Sequence, residues 1–355
     1  MKPRTRTRRL CLAASLLASL IPLSAAADAI GDGRSVANAF GDTQVPDSAQ
    51  RIVTLYQGAT DSAVALGITP VGVVDSWLEK PMYRYLRDAL AGVEHVGLET
   101  QPNLEKIAWL DPDLIVATHF RHERVRPLLK KIAPTVATKS VFDFKASLML
   151  VAKATGREPK ARELLEDWDQ RVTDFRRQMT EALGDAWPQK AAVVRFKSDH
   201  VRIYSTGFAG SILDELGFEQ PASVQDQGWG MKLTSEENIP VMNADVIFVL
   251  LEPDDPAIAE NYRHWRSHPL WQRLDAVQHC RVYEVDPVDW IMGGGILAAN
   301  AMLDDLYAHY GLEPSSGDMQ AIPATPTSMQ AKSAQACTGN SDAAAISPTE
   351  APAAC

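Results

Sequence analysis

Positive charge is scarce in this chain of 355 residues: 35 Lys and Arg stand against 45 Asp and Glu, for a net charge of −10. Five of those cations fall within the first nine residues, so removal of that segment would leave a balance of about −15. A chain so poor in cations is unsuited to nucleic acid, whose phosphates demand a basic face. Cysteine is also sparse, with four in all, and no Cys/His spacing reads as a zinc site. Long apolar runs are missing: the stretch from Leu10 to Leu23 is shorter than the roughly 20 residues a membrane span needs. Several catalytic signatures are absent too. There is no Gly-x-Ser-x-Gly elbow, no His-Glu-x-x-His, no acidic calcium loop, and no Lys-Ser/Thr after a glycine-rich turn. What remains, at 46% hydrophobic and 23% charged, is ample material for a globular core.

The termini differ from the middle. Lys2 to Arg9 is basic, Leu10 to Leu23 is apolar, and Ser24-Ala25-Ala26-Ala27 is small, the three-part pattern of a cleavable export signal spanning 1–27. Arg8-Arg9 also permits twin-arginine export. Residues 313–355 are rich in Ala, Ser, Thr and Pro without apolar periodicity, so a disordered tail is expected there. After cleavage, Cys280, Cys337 and Cys355 would remain, an odd number in an oxidising compartment.

A pattern occurs twice in the middle. Glu105, Ile107, Asp113 and Ile115 recur at an offset of 132 as Glu237, Ile239, Asp245 and Ile247, each set reading as helix end, turn and buried strand. Upstream of each copy a helix ends in Leu-Gly, at Ser62 to Gly67 and at Ser211 to Gly217. Duplication of one α/β unit accounts for this, and so would two ordinary α/β units sharing the same punctuation. Strand-like runs are expected at 51–55, 70–74, 114–117 and 135–137, then at 191–196, 201–204, 246–250 and 282–285. Apolar runs separated by helices predict mainly parallel sheets covered on both faces. Between the halves, Ala161, Leu164, Leu165, Trp168, Val172, Phe175, Met179 and Leu183 trace one helical face. That predicts a rod of about 36 Å from Pro159 to Gly184. The expected architecture is α/β: two three-layer lobes, 35–142 and 188–312, joined through a linker at 143–187 containing a long rigid helix.

Such lobes leave a cleft at the carboxyl ends of their strands, where ligands bind in open α/β sheets. Residues just after strand runs are therefore the candidates: Tyr56, His119 to His122, Arg195, Lys197, Arg202, Tyr204, Trp229, Lys232 and Trp290. Forked Arg donors beside flat aromatic surfaces suit a rigid, chelated anion. Arg121 is open to a second reading as a solvated helix start, and Trp290 to one as a core anchor under Gly293-Gly294-Gly295. His119 and His122 would need a third partner to hold a metal, and none is visible.

Several runs together carry a family resemblance. Arg51-Ile-Val-Thr-Leu, Leu66-Gly-Ile-Thr-Pro-Val-Gly-Val, Val96-Gly-Leu-Glu-Thr-Gln-Pro-Asn-Leu-Glu-Lys-Ile, Asp111-Pro-Asp-Leu-Ile, Gly210-Ser-Ile-Leu-Asp-Glu-Leu-Gly and Trp290-Ile-Met-Gly-Gly-Gly resemble the periplasmic iron–siderophore binding proteins of ABC importers. Arg121-His122 followed by Ile132-Ala-Pro is similar to the ferric dicitrate-binding branch. The resemblance implies a class III periplasmic binding protein fold, with Glu105 and Glu237 docking onto the membrane permease. It also implies that Trp229 and Trp290 line the ligand cleft and that Arg121 lies near a ligand contact; the full set of ligand candidates is Tyr56, Glu99, Arg121, His122, Arg195, Tyr204, Trp229, Lys232 and Trp290. Glu99 departs from the family pattern, because a carboxylate stands where an Arg commonly meets the chelate. The implied protein is a periplasmic monomer that captures a ferric siderophore for an ABC permease. Iron is held by the siderophore, and neither a cofactor nor a protein-bound metal is expected. Haem or cobalamin capture on the same fold is the alternative, followed by an exported chelate-processing enzyme.

Overall fold

The computed structural model describes residues 33–47, 49–225, 228–252 and 254–315. The expected export signal lies outside them, as does the expected tail beyond Ser315. The first two strands, β1 (Gly33–Asn38) and β2 (Gly41–Pro46), form an antiparallel hairpin that sequence patterning did not suggest.

The next six strands form one sheet: β3 (Ile52–Thr54), β4 (Gly72–Asp75), β5 (Glu94–Leu98), β6 (Gln101–Pro102), β7 (Leu114–Thr118) and β8 (Thr135–Thr138). Their order is β6-β5-β4-β3-β7-β8, and every neighbouring pair except β5–β6 is parallel. The second sheet contains β9 (Ala191–Phe196), β10 (Val201–Tyr204), β11 (Gly230–Leu233), β12 (Val246–Leu250) and β13 (Val282–Val285), ordered β11-β10-β9-β12-β13. Here only β9, β12 and β13 run parallel, while β10 and β11 are antiparallel. This sheet is more mixed than expected, because β9 turns straight back into β10 through the tight link 197–200 with no room for a crossover helix.

The helices are α1 (Gln57–Ala65), α2 (Leu104–Trp109), α3 (His119–His122), α4 (Arg126–Ile132), α5 (Phe144–Thr155), α6 (Glu158–Leu183), α7 (Gly207–Leu216), α8 (Pro256–Ser267), α9 (Asp275–Gln278) and α10 (Ile296–His309). The long helix α6 has 26 residues and buries Ala161, Leu164, Trp168, Val172, Phe175 and Met179, the stripe that its spacing set out. Trp168 is fully buried, and its N–H donates to Glu215 at 2.9 Å, so neither its ring nor its polar edge is left unsatisfied.

One core spans both sheets. Ile52, Leu114 and Val136 from the first sheet and Val193, Phe248 and Val285 from the second pack into the same cluster through α5, α6 and α10. Separate apolar clusters cover the far face of each sheet. The junction is thus wider than a single strut. It includes a direct tie from α1 to α10: the buried Asp61 carboxylate accepts the N–H groups of Leu297 and Ala298 at 3.0 and 3.1 Å, and the Tyr85 hydroxyl at 2.9 Å. Burial pushes its carboxyl up to about 6. Glycine is required around that tie, since a Cβ on Gly295 would lie 2.2 Å from Asp61 and one on Gly58 would lie 2.4 Å from the Gly294 carbonyl. The glycine triplet serves packing.

The duplicated Asp has one job in both copies. Asp113 Oδ2 accepts the N–H groups of Gln50 and Arg51, both at 2.9 Å, at the start of β3, and Asp245 Oδ2 accepts Lys190 N–H at 2.7 Å at the start of β9. In each case the Asp opens the strand that pairs in parallel with the one it grips.

Candidate functional site

The parallel strands β5, β4, β3 and β7 are consecutive in the sheet, so the residues just past their carboxyl ends lie along one edge. Past β4 comes Trp77, past β5 Glu99, and past β7 the short helix α3 with Arg121. Arg121 Nε lies 2.8 Å from Glu99 Oε1, an ion pair by proximity although the N–H is not aimed for a hydrogen bond. The Trp77 indole N–H donates to Glu99 Oε2 at 3.0 Å, and the guanidinium carbon sits 5.0 Å from the Trp77 ring centre. It also lies 5.7 Å from Phe120, a ring 67% exposed. Glu99 itself is only 4% exposed. Burial pushes its carboxyl up, opposed by Arg121, by the Trp77 N–H and by the Gln57 backbone N–H. Any negative charge on Glu99 is thereby offset internally by Arg121.

His122 is fully buried. Its Nδ1 accepts Thr118 N–H at 3.1 Å, which leaves Nε2 to donate to the Glu99 carbonyl at 2.9 Å. Both nitrogens are used by the backbone, and burial holds the imidazole below its usual range, so it is neutral. Tyr56 is likewise sealed. Its hydroxyl meets Ser147 at 3.1 Å and Thr138 at 3.2 Å, and burial pushes it up to about 12. Trp290 packs 4.5 Å from Phe248 and donates to Asp305 at 3.1 Å, with no exposed surface. These three were expected at the ligand and are corrected to core and support. A position after a strand sets which end of the sheet a residue joins, but not which way its side chain points.

The second sheet contributes a row of cations. Register pairs Lys232 with Arg202 across β11 and β10, and Arg202 with Arg195 across β10 and β9. Directly opposed residues share a sheet face, so three like charges stand in line, an arrangement that costs stability unless something offsets it. Each has its own offset. Arg195 pairs with Glu252, which also accepts from Lys197 at 2.6 Å. Burial pulls the Glu252 carboxyl up, and those two cations more than reverse that. Arg202 lies over the Trp229 ring at 4.5 Å, and Lys232 approaches Asp199 at 3.8 Å. Tyr204 stands beside Trp229 at 5.9 Å between ring centres and contacts Arg195 through its hydroxyl at 3.5 Å. Trp229 is 50% exposed, on a turn held by the Ser205 and Thr206 hydroxyls donating to the Gly228 carbonyl at 2.6 and 3.2 Å.

The two clusters share one neighbour. Tyr83 lies within electrostatic reach of both Glu99 and Arg195, accepts the Trp77 backbone N–H at 3.4 Å, and donates to the Met292 carbonyl at 3.2 Å. Among the described residues, no group of three or more His, Cys, Asp or Glu is arranged to hold a metal ion. His119 instead pairs with Glu123 at 3.2 Å. Glu105 and Glu237 are exposed and have no ion pair among the described residues. Glu105 lies in the first turn of α2, capped by the Asn103 side chain, and Glu237 in a 3₁₀ segment, Glu236–Met242, capped by Ser235. Cys280 is disulfide-bonded, and the other cysteines lie outside the described residues.

Residues 52–288 match the periplasmic binding protein family. The chain belongs to that family. An achromobactin-binding periplasmic protein of Dickeya dadantii is 51% identical over 72% of this chain and 85% of its own length. A probable siderophore-binding lipoprotein of Bacillus subtilis, YfiY, is 41% identical over 78% and 87%. The crystal structure of Staphylococcus aureus SirA complexed with staphyloferrin B superimposes with a TM-score of 0.76 at 43% identity, covering 79% of this chain and 99% of SirA. The Fe(3+) dicitrate-binding periplasmic protein FecB of Escherichia coli is more distant, at 28% over 79% and 91%. This periplasmic binding protein thus has the two-sheet fold of a family of binding proteins rather than enzymes.

Trp77 and Glu252 were not singled out as candidates, whereas Phe120 and Lys197 were noted only for their position after a strand run. The rule that found Arg121 would have found Trp77 and Glu252 as well, since each follows an apolar strand run by two residues.

Proposed function

We propose that this protein is an exported receptor that captures an anionic ferric siderophore between the carboxyl ends of its two sheets and delivers it to an ABC permease. The observation that carries this reading is the row Lys232–Arg202–Arg195, opposed in register on the second sheet. Like charges so aligned are favoured when an anion completes them. Arg121 supplies a further cation from the first sheet, and Trp77, Trp229 and Tyr204 supply flat surface against a rigid chelate. The ligand class is a ferric chelate bearing several carboxylates. The relatives named for binding achromobactin and staphyloferrin B support a siderophore as the ligand. The chelate would hold the iron, which the protein would not touch. Glu105 and Glu237, both exposed and without an ion pair among the described residues, would dock the loaded monomer onto cations of the permease.

Titration of the protein with ferric citrate, a ferric trihydroxamate and a ferric catecholate, followed by tryptophan fluorescence, tests the reading. Quenching is expected from ferric citrate, with none from an equal concentration of free chelator or neutral chelate. A flat response to all three chelates overturns it. The variant Glu105→Ala with Glu237→Ala should keep the wild-type titration and lose uptake; unimpaired uptake removes the docking role.

A further inference from the structure

Packing does not account for the Trp77 indole. The ring is 40% exposed, yet its N–H is committed to a carboxylate that is itself 4% exposed. That carboxylate divides its two oxygens: Oε2 receives Trp77, while Oε1 faces Arg121 at 2.8 Å. The face of the same indole lies 5.0 Å from the guanidinium carbon. Trp77, Glu99 and Arg121 therefore close a triangle in which the Trp touches both other members, by its edge and by its face. His122 secures the frame from behind, since it ties the backbone of α3 to the Glu99 carbonyl.

The arrangement leaves the business end of Arg121 free. Its side chain is 20% exposed, and no hydrogen bond to the guanidinium occurs among the described residues. An arginine on its own samples many rotamers, and a fork that must receive a carboxylate through two parallel bonds loses strength with each of them. An indole that offers a platform and also pins the counter-carboxylate removes that freedom beforehand.

We propose that Trp77 is the positioning residue of the ligand site, holding Glu99 back and Arg121 forward so that the first-sheet side selects chelates with a carboxylate on their outer edge. This rests on the reading of the cleft as a receptor for an anionic ferric chelate. Without the indole N–H, Glu99 is free to turn toward the cleft and present its charge to the ligand. Without the ring, Arg121 loses its platform.

The test is a double-mutant cycle with ferric citrate as the probe, using Trp77→Phe, Trp77→Leu and Arg121→Ala. Trp77→Phe keeps a platform and loses the N–H, and should weaken binding about tenfold. Trp77→Leu loses both and should weaken it further. In the Arg121→Ala background, either change should cost clearly less than in the wild type, because the guanidinium is gone and only the hold on Glu99 is left to lose. Equal losses in both backgrounds overturn the proposal, and so does wild-type affinity in Trp77→Phe. If Trp77→Leu does not fold, the Trp77→Phe cycle still decides. A second readout needs no ligand: the Arg121 Nε–H resonance should be resolved in the wild-type protein and broadened or exchanged away in Trp77→Phe. An unchanged resonance overturns positioning even if the chelate class is wrong, whereas a wild-type protein that binds no ferric chelate removes the functional reading alone.

Discussion

The two sides of the cleft handle positive charge differently. On the first sheet a single guanidinium is held at depth by a buried carboxylate and an indole. On the second, three cations line up across adjacent strands, each with its own neighbour of another kind: a carboxylate, a ring face and a loose surface acid. The first is a locked pair, whose parts cannot be removed singly without stranding the other. The second is a strained row, in which a deletion relieves its neighbours. Loss of charge should therefore harm stability on one side and spare it on the other, although the proposed ligand would meet both.

The largest effect should come from Arg121→Ala. Leaving Glu99 buried without its guanidinium should destabilise the protein by about 3 kcal/mol in denaturant titration. Ferric citrate affinity should also drop, on the order of 100-fold. Adding Glu99→Gln should recover most of the stability and none of the affinity; recovery of both would mean that Arg121 serves only the pair. Next in size is Arg202→Ala. Its affinity loss should be about tenfold, with a shallower dependence on ionic strength. Its melting temperature should be unchanged or slightly raised, within ~0.5 kcal/mol of wild type. A destabilisation as large as that of Arg121→Ala would erase the contrast between the two sides.

The smallest effect concerns the acids behind the second-sheet side. Asp289 is surrounded by Asp286, Asp305 and Glu79, opposed by Arg84, and burial with those acidic charges pushes its carboxyl up to about 8. A carboxyl with a raised folded-state value holds its proton longer when folded, so stability falls as pH rises toward that value. His309, which burial holds down to about 4, and His122 act in the opposite sense below the ordinary histidine range and are neutral in both states above it. Between pH of about 6.5 and 8 the slope should therefore belong mainly to Asp289. The melting temperature should fall over that window in the wild type and stay nearly level in Asp289→Asn. Equal slopes would show that Asp289 ionises normally.

Much of this was readable beforehand. The runs 191–196, 201–204, 246–250 and 282–285 are strands with those bounds, because β-branched, aromatic and apolar residues dominate each of them. The helix through Trp168 followed from spacing alone. Strand β5 was missed because Glu94-His-Val-Gly-Leu carries charge and a glycine, and β11 because Gly230-Met-Lys-Leu is a polar edge strand. At the site, residue type and position after a strand singled out Arg121, Arg195, Tyr204 and Trp229, which remain at least partly exposed. The same reasoning misplaced Tyr56, His122 and Trp290, whose side chains turn inward. Nothing in composition reveals that Glu99 and Arg121 satisfy each other, since they follow β5 and β7, two strands with β4 and β3 between them in the sheet.

The α1 to α10 tie bears on kinetics. Any wide swing of one sheet away from the other must break the Asp61 cap on α10 and separate Gly58 from the Gly294 carbonyl, both deep in the protein. For the receptor proposed above, loading would proceed by side-chain adjustment on an already formed rim, at a rate that charge steering can raise. The force that parts its two sheets for release would come from outside, through contact with the permease.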